Sequence, residues 1–173
     1  MSRVVTWLQY REVEMFRWVN KRQHILTDWL MNRITHMGGA TLTILFTLGM
    51  SIFGPSPWNE VAMQSFLALT LSHVPVHIMK KKYPRLRPYL VLPHINICKK
   101  PLTDHSFPSG HTTAIFAVII PFVLAWPLLG LMLLPLALLV AVSRMYLGLH
   151  YPSDCAAGAI IGTVSAILTG FLI

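Results

Sequence analysis

The chain has 173 residues, enough for one domain, of which 54% are apolar and only 12% charged, with a mean hydropathy of +0.59. Soluble domains carry roughly 25% charged residues, so a water-soluble globule would be left with too much apolar surface, and a membrane protein is expected. The net charge of +8 would point to nucleic acid on a soluble domain. Here the bases cluster between apolar runs, so no nucleic acid is expected, and anionic headgroups or a phosphate-bearing substrate fit better.

Residues 1–33 mix Trp7, Leu8, Met15, Phe16, Trp18, Val19, Trp29 and Leu30 with charges. The charges rule out a signal peptide. Val4, Leu8, Met15 and Val19 fall near one helical face, and Glu12 breaks the stripe. This pattern predicts an amphipathic helix in the membrane interface, with tryptophans at headgroup level. Residues 34–173 are expected to form the membrane-spanning domain. Residues 34–59 hold no Asp, Glu, Lys or Arg, and a first span is expected over 37–53, ended by the turn "GPSPW". A second follows over 61–79. Each is close to the roughly 20 residues that a bilayer needs.

Residues 80–110 form a basic, proline-bearing loop. No Asp, Glu, Lys or Arg occurs from 105 to 143. As one helix that stretch would be about 58 Å long at 1.5 Å per residue, against an apolar layer of about 30 Å. Two spans are therefore expected, broken near "AWPLLG", and residues 155–173 supply a fifth. The expected fold is all-α: a polytopic transmembrane helical bundle of about five spans plus the N-terminal interfacial helix. Cys98 and Cys155 lie far apart and suggest no zinc site.

Parity places the N-terminal helix, the 80–110 loop and residues 143–154 on one membrane face. Three polar stretches meet there: Lys80 with Arg87-Pro88, then Pro108-Ser109-Gly110-His111, then Ser143-Arg144 with His150 and Asp154. Arginine matches phosphate oxygens with a planar fork, and lysine acts as a point charge, so Lys80, Arg87 and Arg144 are candidate phosphate ligands. Ser109 and Gly110 open a helix, where free backbone N–H groups and the helix dipole favour an anion. Ser143 is expected to support Arg144 by packing or hydrogen bonding.

Asp154 follows His150 by four residues, one helical turn. A carboxylate on one imidazole nitrogen fixes the tautomer and frees the other to attack. His150 is the expected nucleophile, Asp154 its orienting group, and His111 the general acid and base. Three bases can stabilise the phosphoryl oxygens electrostatically, so no metal and no cofactor are expected. Some readings stay structural. Lys81 and Lys82 read as topology anchors. His73 and His77, with Pro75 between them and no third ligand evident, read as polar residues lining the bundle. Asp104 and His105 sit near the site, where either could touch a headgroup, and read as a solvated loop.

The three stretches resemble the signature motifs of the type 2 phosphatidic acid phosphatase (PAP2) superfamily, which also includes vanadium haloperoxidases, and the resemblance is to its small bacterial-type membrane lipid phosphatases. All eleven fixed positions match, between residues 80 and 154. The resemblance implies a helical bundle, a phosphohistidine intermediate at His150 and acid/base work by His111. It also implies a lipid phosphate substrate of the undecaprenyl diphosphate, phosphatidylglycerol phosphate or phosphatidate type. Many membrane members have six spans, so the chain departs at its front. The alternatives are a non-catalytic lipid-phosphate-binding protein, which would not need a complete site, and a vanadate-dependent peroxidase, whose known forms are soluble and longer. All fourteen Lys and Arg fall on the site side, which predicts a cytoplasmic site by the positive-inside rule. The family resemblance implies an extracytoplasmic one.

Overall fold

A computed structural model describes residues 3–97 and 102–172, so Cys98, Lys99 and Lys100 lie outside the described residues. The described chain is helical: α1 (Arg3–Asn20), α2 (Ile25–Ile34), a 3-10 turn (Thr35–Gly38), α3 (Ala40–Phe53), α4 (Trp58–Lys82), the single turn α5 (Pro88–Val91), α6 (Gly110–Ala125), a 3-10 turn (Pro127–Leu129), α7 (Gly130–Tyr146) and α8 (Pro152–Thr169).

The N-terminal segment is two helices rather than one. The chain breaks after Asn20, and His24 caps α2 by accepting the Leu26 N–H. The α2 segment then runs through the 3-10 turn into α3, with a bend of 51° at the Gly38-Gly39 break. The span expected over 37–53 is therefore the second limb of a bent pair. Alone, the 14 residues of α3 would reach about 21 Å, short of the roughly 30 Å apolar layer. The second, fourth and fifth expected spans match α4, α7 taken with the 3-10 turn before it, and α8, each long and apolar enough to cross a membrane. The third is the shorter apolar helix α6. The break near "AWPLLG" falls at Trp126 and the turn that follows.

The core is built around α6, whose residues 112–122 are all buried. It packs on α4, α7 and α8. Glycines on α8 allow the close approach: a Cβ at Gly158 would come within 2.6 Å of the Ser109 carbonyl oxygen, and one at Gly162 within 2.4 Å of that of Thr113. Such contacts between small residues and backbone are how helices associate where lipid removes the hydrophobic drive. Outward faces stay apolar, with Leu131, Met132 and Leu138 on α7 exposed, as lipid contact requires. At the end remote from the motifs, Trp58 stacks on Trp126 with ring centroids 4.1 Å apart, an interfacial aromatic pair.

Candidate active site

The three motifs converge at the end of the bundle where α4 finishes and α6 and α8 begin. Lys80 occupies the last turn of α4. The chain then leaves the helix, and Arg87 precedes α5 in extended backbone with the buried Pro88 at the first helical position, where a missing N–H costs nothing. Ser109 caps α6, following the cis Phe107–Pro108 peptide, and Pro108 is itself buried. Arg144 sits in the last turn of α7. Gly148, at φ +75° and with the Asn96 carbonyl close by, turns the chain sharply after α7, a conformation that favours glycine, and so delivers His150.

A cavity of about 470 Å³ is lined by Lys80, Arg87, Arg144, His150, Gly110 and His111. His73, His77 and Asp104 also line it. The two histidines of α4 thus face the site cavity rather than a remote part of the bundle. At Gly110 an added Cβ would meet no atom within 4 Å, so the glycine leaves this part of the wall open.

His150 is 2% exposed. Its Nδ1 lies 2.7 Å from the Ser106 carbonyl oxygen, which can only accept, so the proton belongs on Nδ1 and the lone pair on Nε2. Arg87 Nη1 approaches Nε2 at 3.2 Å. Burial lowers the imidazole pKa to about 4; Arg144 and Arg87 add to the shift and Asp154 opposes it. The ring is therefore neutral at neutral pH.

Asp154 is placed differently from the one-turn helical pair expected of it. His150 precedes α8, and Asp154 lies inside its first turn. The Oδ2–Nδ1 distance is 3.7 Å, beyond hydrogen-bond range. The Asp154 carboxylate accepts the Tyr151 N–H at 2.7 Å and the Ser106 hydroxyl. It holds Ser106, and the Ser106 carbonyl holds His150.

Arg87 is 2% exposed and engaged from all three nitrogens. Its donors reach the carbonyls of Leu149 and Asp104 and, through Nη2 at 2.7 Å, the Asp104 carboxylate. Lys80 Nζ reaches the same carboxylate at 2.6 Å and the His105 carbonyl at 2.8 Å. Asp104 stays a solvent-exposed loop residue, and it is also the anion between both cations of the first motif. Burial pushes its carboxyl up, yet Lys80 and Arg87 outweigh this and hold it at about 2. Arg144, also 2% exposed, donates from Nη1 to Thr35 at 2.7 Å, while its buried Nε has no partner among the described residues. An unsatisfied buried donor in a cavity wall is suited to an anion.

Two expected site residues point elsewhere. The Ser109 N–H donates to the Asp154 carbonyl at 3.0 Å, and its hydroxyl accepts from Thr112. Ser109 braces α6 against α8, which leaves Gly110 and His111 on the cavity wall. Ser143 donates to the Val140 carbonyl within α7 and makes no hydrogen bond to the Arg144 side chain. Sequence reasoning passed over Ser106 and Arg85, which hold the Asp154 carboxylate, and Glu12, which holds Arg85. The one visible signal was Glu12, the charge that interrupts an apolar stripe.

The PAP2 superfamily pattern matches residues 61–170. The chain is 26% identical over 158 residues to the bacitracin transport permease protein BcrC of Bacillus licheniformis, covering 90% of this chain and 77% of that one. It is 28% identical over 162 residues to the undecaprenyl-diphosphatase of Sulfolobus acidocaldarius, covering 91% and 76%. The crystal structure of Aquifex aeolicus LpxE superposes with a TM-score of 0.83 at 28% identity, over 92% of this chain and 94% of that one. With the family pattern spanning more than half of its residues and the motif side chains gathered round one cavity, the chain belongs to the PAP2 superfamily.

Proposed function

We propose that this multi-pass membrane protein is a lipid phosphatase, hydrolysing a phosphate monoester or diphosphate whose tail stays in the bilayer. The observation that carries this reading is the cavity itself. A neutral, buried His150 presents Nε2 beside Arg87, with Lys80, Arg144 and His111 in the same walls, at one end of an apolar bundle. The names of the relatives, an undecaprenyl-diphosphatase among them, support a lipid phosphate as the substrate class.

In the first step Nε2 attacks phosphorus. The N–P bond forms, the P–O bond to the lipid breaks, and His111 protonates the departing oxygen. Lys80, Arg87 and Arg144 stabilise the equatorial oxygens. Water, activated by His111, then attacks phosphorus, the N–P bond breaks, and inorganic phosphate leaves. Asp104 has to release Lys80 and Arg87 for phosphoryl oxygens to take its place. Helix α1, with Val4, Trp7, Leu8, Met15 and Trp18 exposed beside Arg3, Arg11, Arg17 and Lys21, suits the headgroup layer of an anionic membrane.

The test is phosphate release by purified protein from isoprenyl diphosphates, phosphatidate and soluble esters, with and without chelator. His150→Ala is expected to abolish release and the acid-labile phosphoenzyme; full activity in that variant refutes the mechanism. Similar rates on soluble esters would refute the lipid reading. The excess of bases at the site end supports a cytoplasmic site, and the resemblance to cell-envelope phosphatases supports the opposite face. A cysteine at Asn59, in the first turn of α4 at the far end, in a chain with Cys98→Ser, decides between them: labelling by an impermeant reagent in intact cells places the site inside, and protection places it outside.

A further inference from the structure

Glu12 and Arg85 belong to none of the three motifs, and Glu12 lies outside the family match at 61–170. Arg85 nevertheless ends on the carboxylate that stands behind His150, and Glu12 ends on Arg85. Arg85 Nη1 donates to Asp154 Oδ1 at 2.8 Å and to the Ser153 hydroxyl at 2.7 Å, and Nη2 donates to Glu12 Oε2 at 2.7 Å. Glu12 also accepts the Ser153 N–H at 3.1 Å and the Ser153 hydroxyl. The guanidinium lies over the Tyr151 ring, 3.9 Å from its centroid. The Arg85 carbonyl accepts the Ser106 N–H at 2.9 Å. Arg85 therefore grips Ser106 twice: by its own backbone, and through Asp154, which holds the Ser106 hydroxyl.

Asp154 is fully buried, and a buried carboxylate needs a cation to stay ionised. Arg85 is the only Lys or Arg in ion-pair contact with it among the described residues. Arg85 is a long, rotamer-rich side chain, and Glu12, 14% exposed in its side chain, fixes it from the opposite side. The chain of contacts runs from α1 to the imidazole: Glu12, Arg85, Asp154, Ser106, His150.

We infer that Glu12 and Arg85 are positioning residues for phosphoryl transfer: helix α1 closes an ionic brace on Asp154 that locks the Ser106 carbonyl and hence the His150 ring, with Nε2 aimed at phosphorus. The inference rests on His150 being the attacking group. The N-terminal helix is then a working part of the site as well as an anchor. A brace of this kind adds nothing to substrate affinity and acts on turnover. Removing Arg85 also strips the cation from Asp154, so the uncompensated carboxylate raises the proton affinity of His150. That ring is faced by Asp154 from α8, by Arg144 from α7, by Arg87 before α5, and, across the cavity, by His73, His77 and Lys80 of α4 and by Asp104 and His111.

The experiment measures kcat and KM for phosphate release from farnesyl diphosphate by the full-length protein in detergent, between about pH 4 and pH 8, alongside thermal unfolding. Arg85→Gln is expected to lower kcat about tenfold or more, leave KM within about twofold, and move the acid limb to higher pH. Glu12→Gln is expected to do the same more weakly, Glu12→Asp to recover part of the loss, and the double variant to be no worse than Arg85→Gln alone, because Glu12 acts through Arg85. A rise in KM at constant kcat, additive losses, or a kcat that falls only with the folded fraction while the acid limb stays put would each overturn the brace. If Arg85→Gln does not fold, the Glu12 pair carries the test alone. Activity in His150→Ala would sink the underlying mechanism; an inactive His150→Ala beside fully active Glu12 and Arg85 variants would sink only the brace.

Discussion

Two carboxylates flank His150, and they are built in opposite ways. Asp104 has a side chain 53% exposed and bridges two cations, Lys80 and Arg87. Asp154 is fully buried, with one cation, one hydroxyl and one backbone N–H. The first is an exchangeable anion: water reaches it, and the cations it holds can pass to another oxyanion at modest cost. The second cannot leave without breaking its ion pair to Arg85 and leaving the Tyr151 N–H unsatisfied. One site thus separates a part that must give way to substrate from a part that must not move.

Asp154→Asn tests the immovable side and should have the largest effect. An amide cannot satisfy Arg85, Ser106 and the Tyr151 N–H together, and kcat is expected to fall about 100-fold or more. That is less than the roughly 10⁴-fold loss on the same change in a Ser-His-Asp triad, because the Ser106 carbonyl still holds Nδ1. A loss confined to KM would place Asp154 among the substrate ligands instead.

The pH dependence of stability probes the burial behind that difference. His150 is held at about 4, against roughly 6.5 in an unfolded chain. Between those values the unfolded state binds the extra proton, so stability falls as pH drops from about 6.5 to 4 and this contribution levels off below. Above about 6.5 the contribution is complete. Thermal unfolding of the wild type and of His150→Gln across this range isolates it, and parallel curves would refute the buried neutral ring.

Asp104→Asn examines the exchangeable side. With the carboxylate gone, Lys80 and Arg87 lose their resident anion, and inorganic phosphate should inhibit about tenfold more tightly, the scale of one charge-assisted hydrogen bond. Unchanged inhibition would mean that product phosphate does not use this fork. Ser153→Ala should give the smallest effect, a change in kcat within about threefold, because Glu12 and Arg85 still meet directly at 2.7 Å. A larger loss, read in the same phosphate-release assay, would make the serine part of the brace.

Much of this was legible in the sequence. Spacing singled out Lys80, Arg87, His111, Arg144 and His150, which the fold brings round one cavity, and apolar run lengths located the break near Trp126 and the approximate extents of α4, α7 and α8. The front of the bundle was less legible, because the Gly38-Gly39 break divides an apolar run without any change of hydropathy. The positions of Ser109 and Ser143 in the motifs do not show which way a hydroxyl or an N–H will find its partner: the Ser109 N–H turns to Asp154, and the Ser143 hydroxyl bonds within α7.

What the sequence by itself determined is what local spacing and transfer energetics control: a membrane bundle, its approximate spans, and three motifs that parity brings to one face. Tertiary structure alone decided which groups hold which. Arg85 meets Asp154 across 69 positions and Glu12 across 73, and the Ser106 carbonyl meets His150 across 44. Such pairings arise from the docking of α1, α4, α6 and α8 on one another, and no period along the chain encodes them. The physical reason is desolvation: once packing removes water from a carboxylate or an imidazole, it takes whichever donor the fold has brought within about 3 Å.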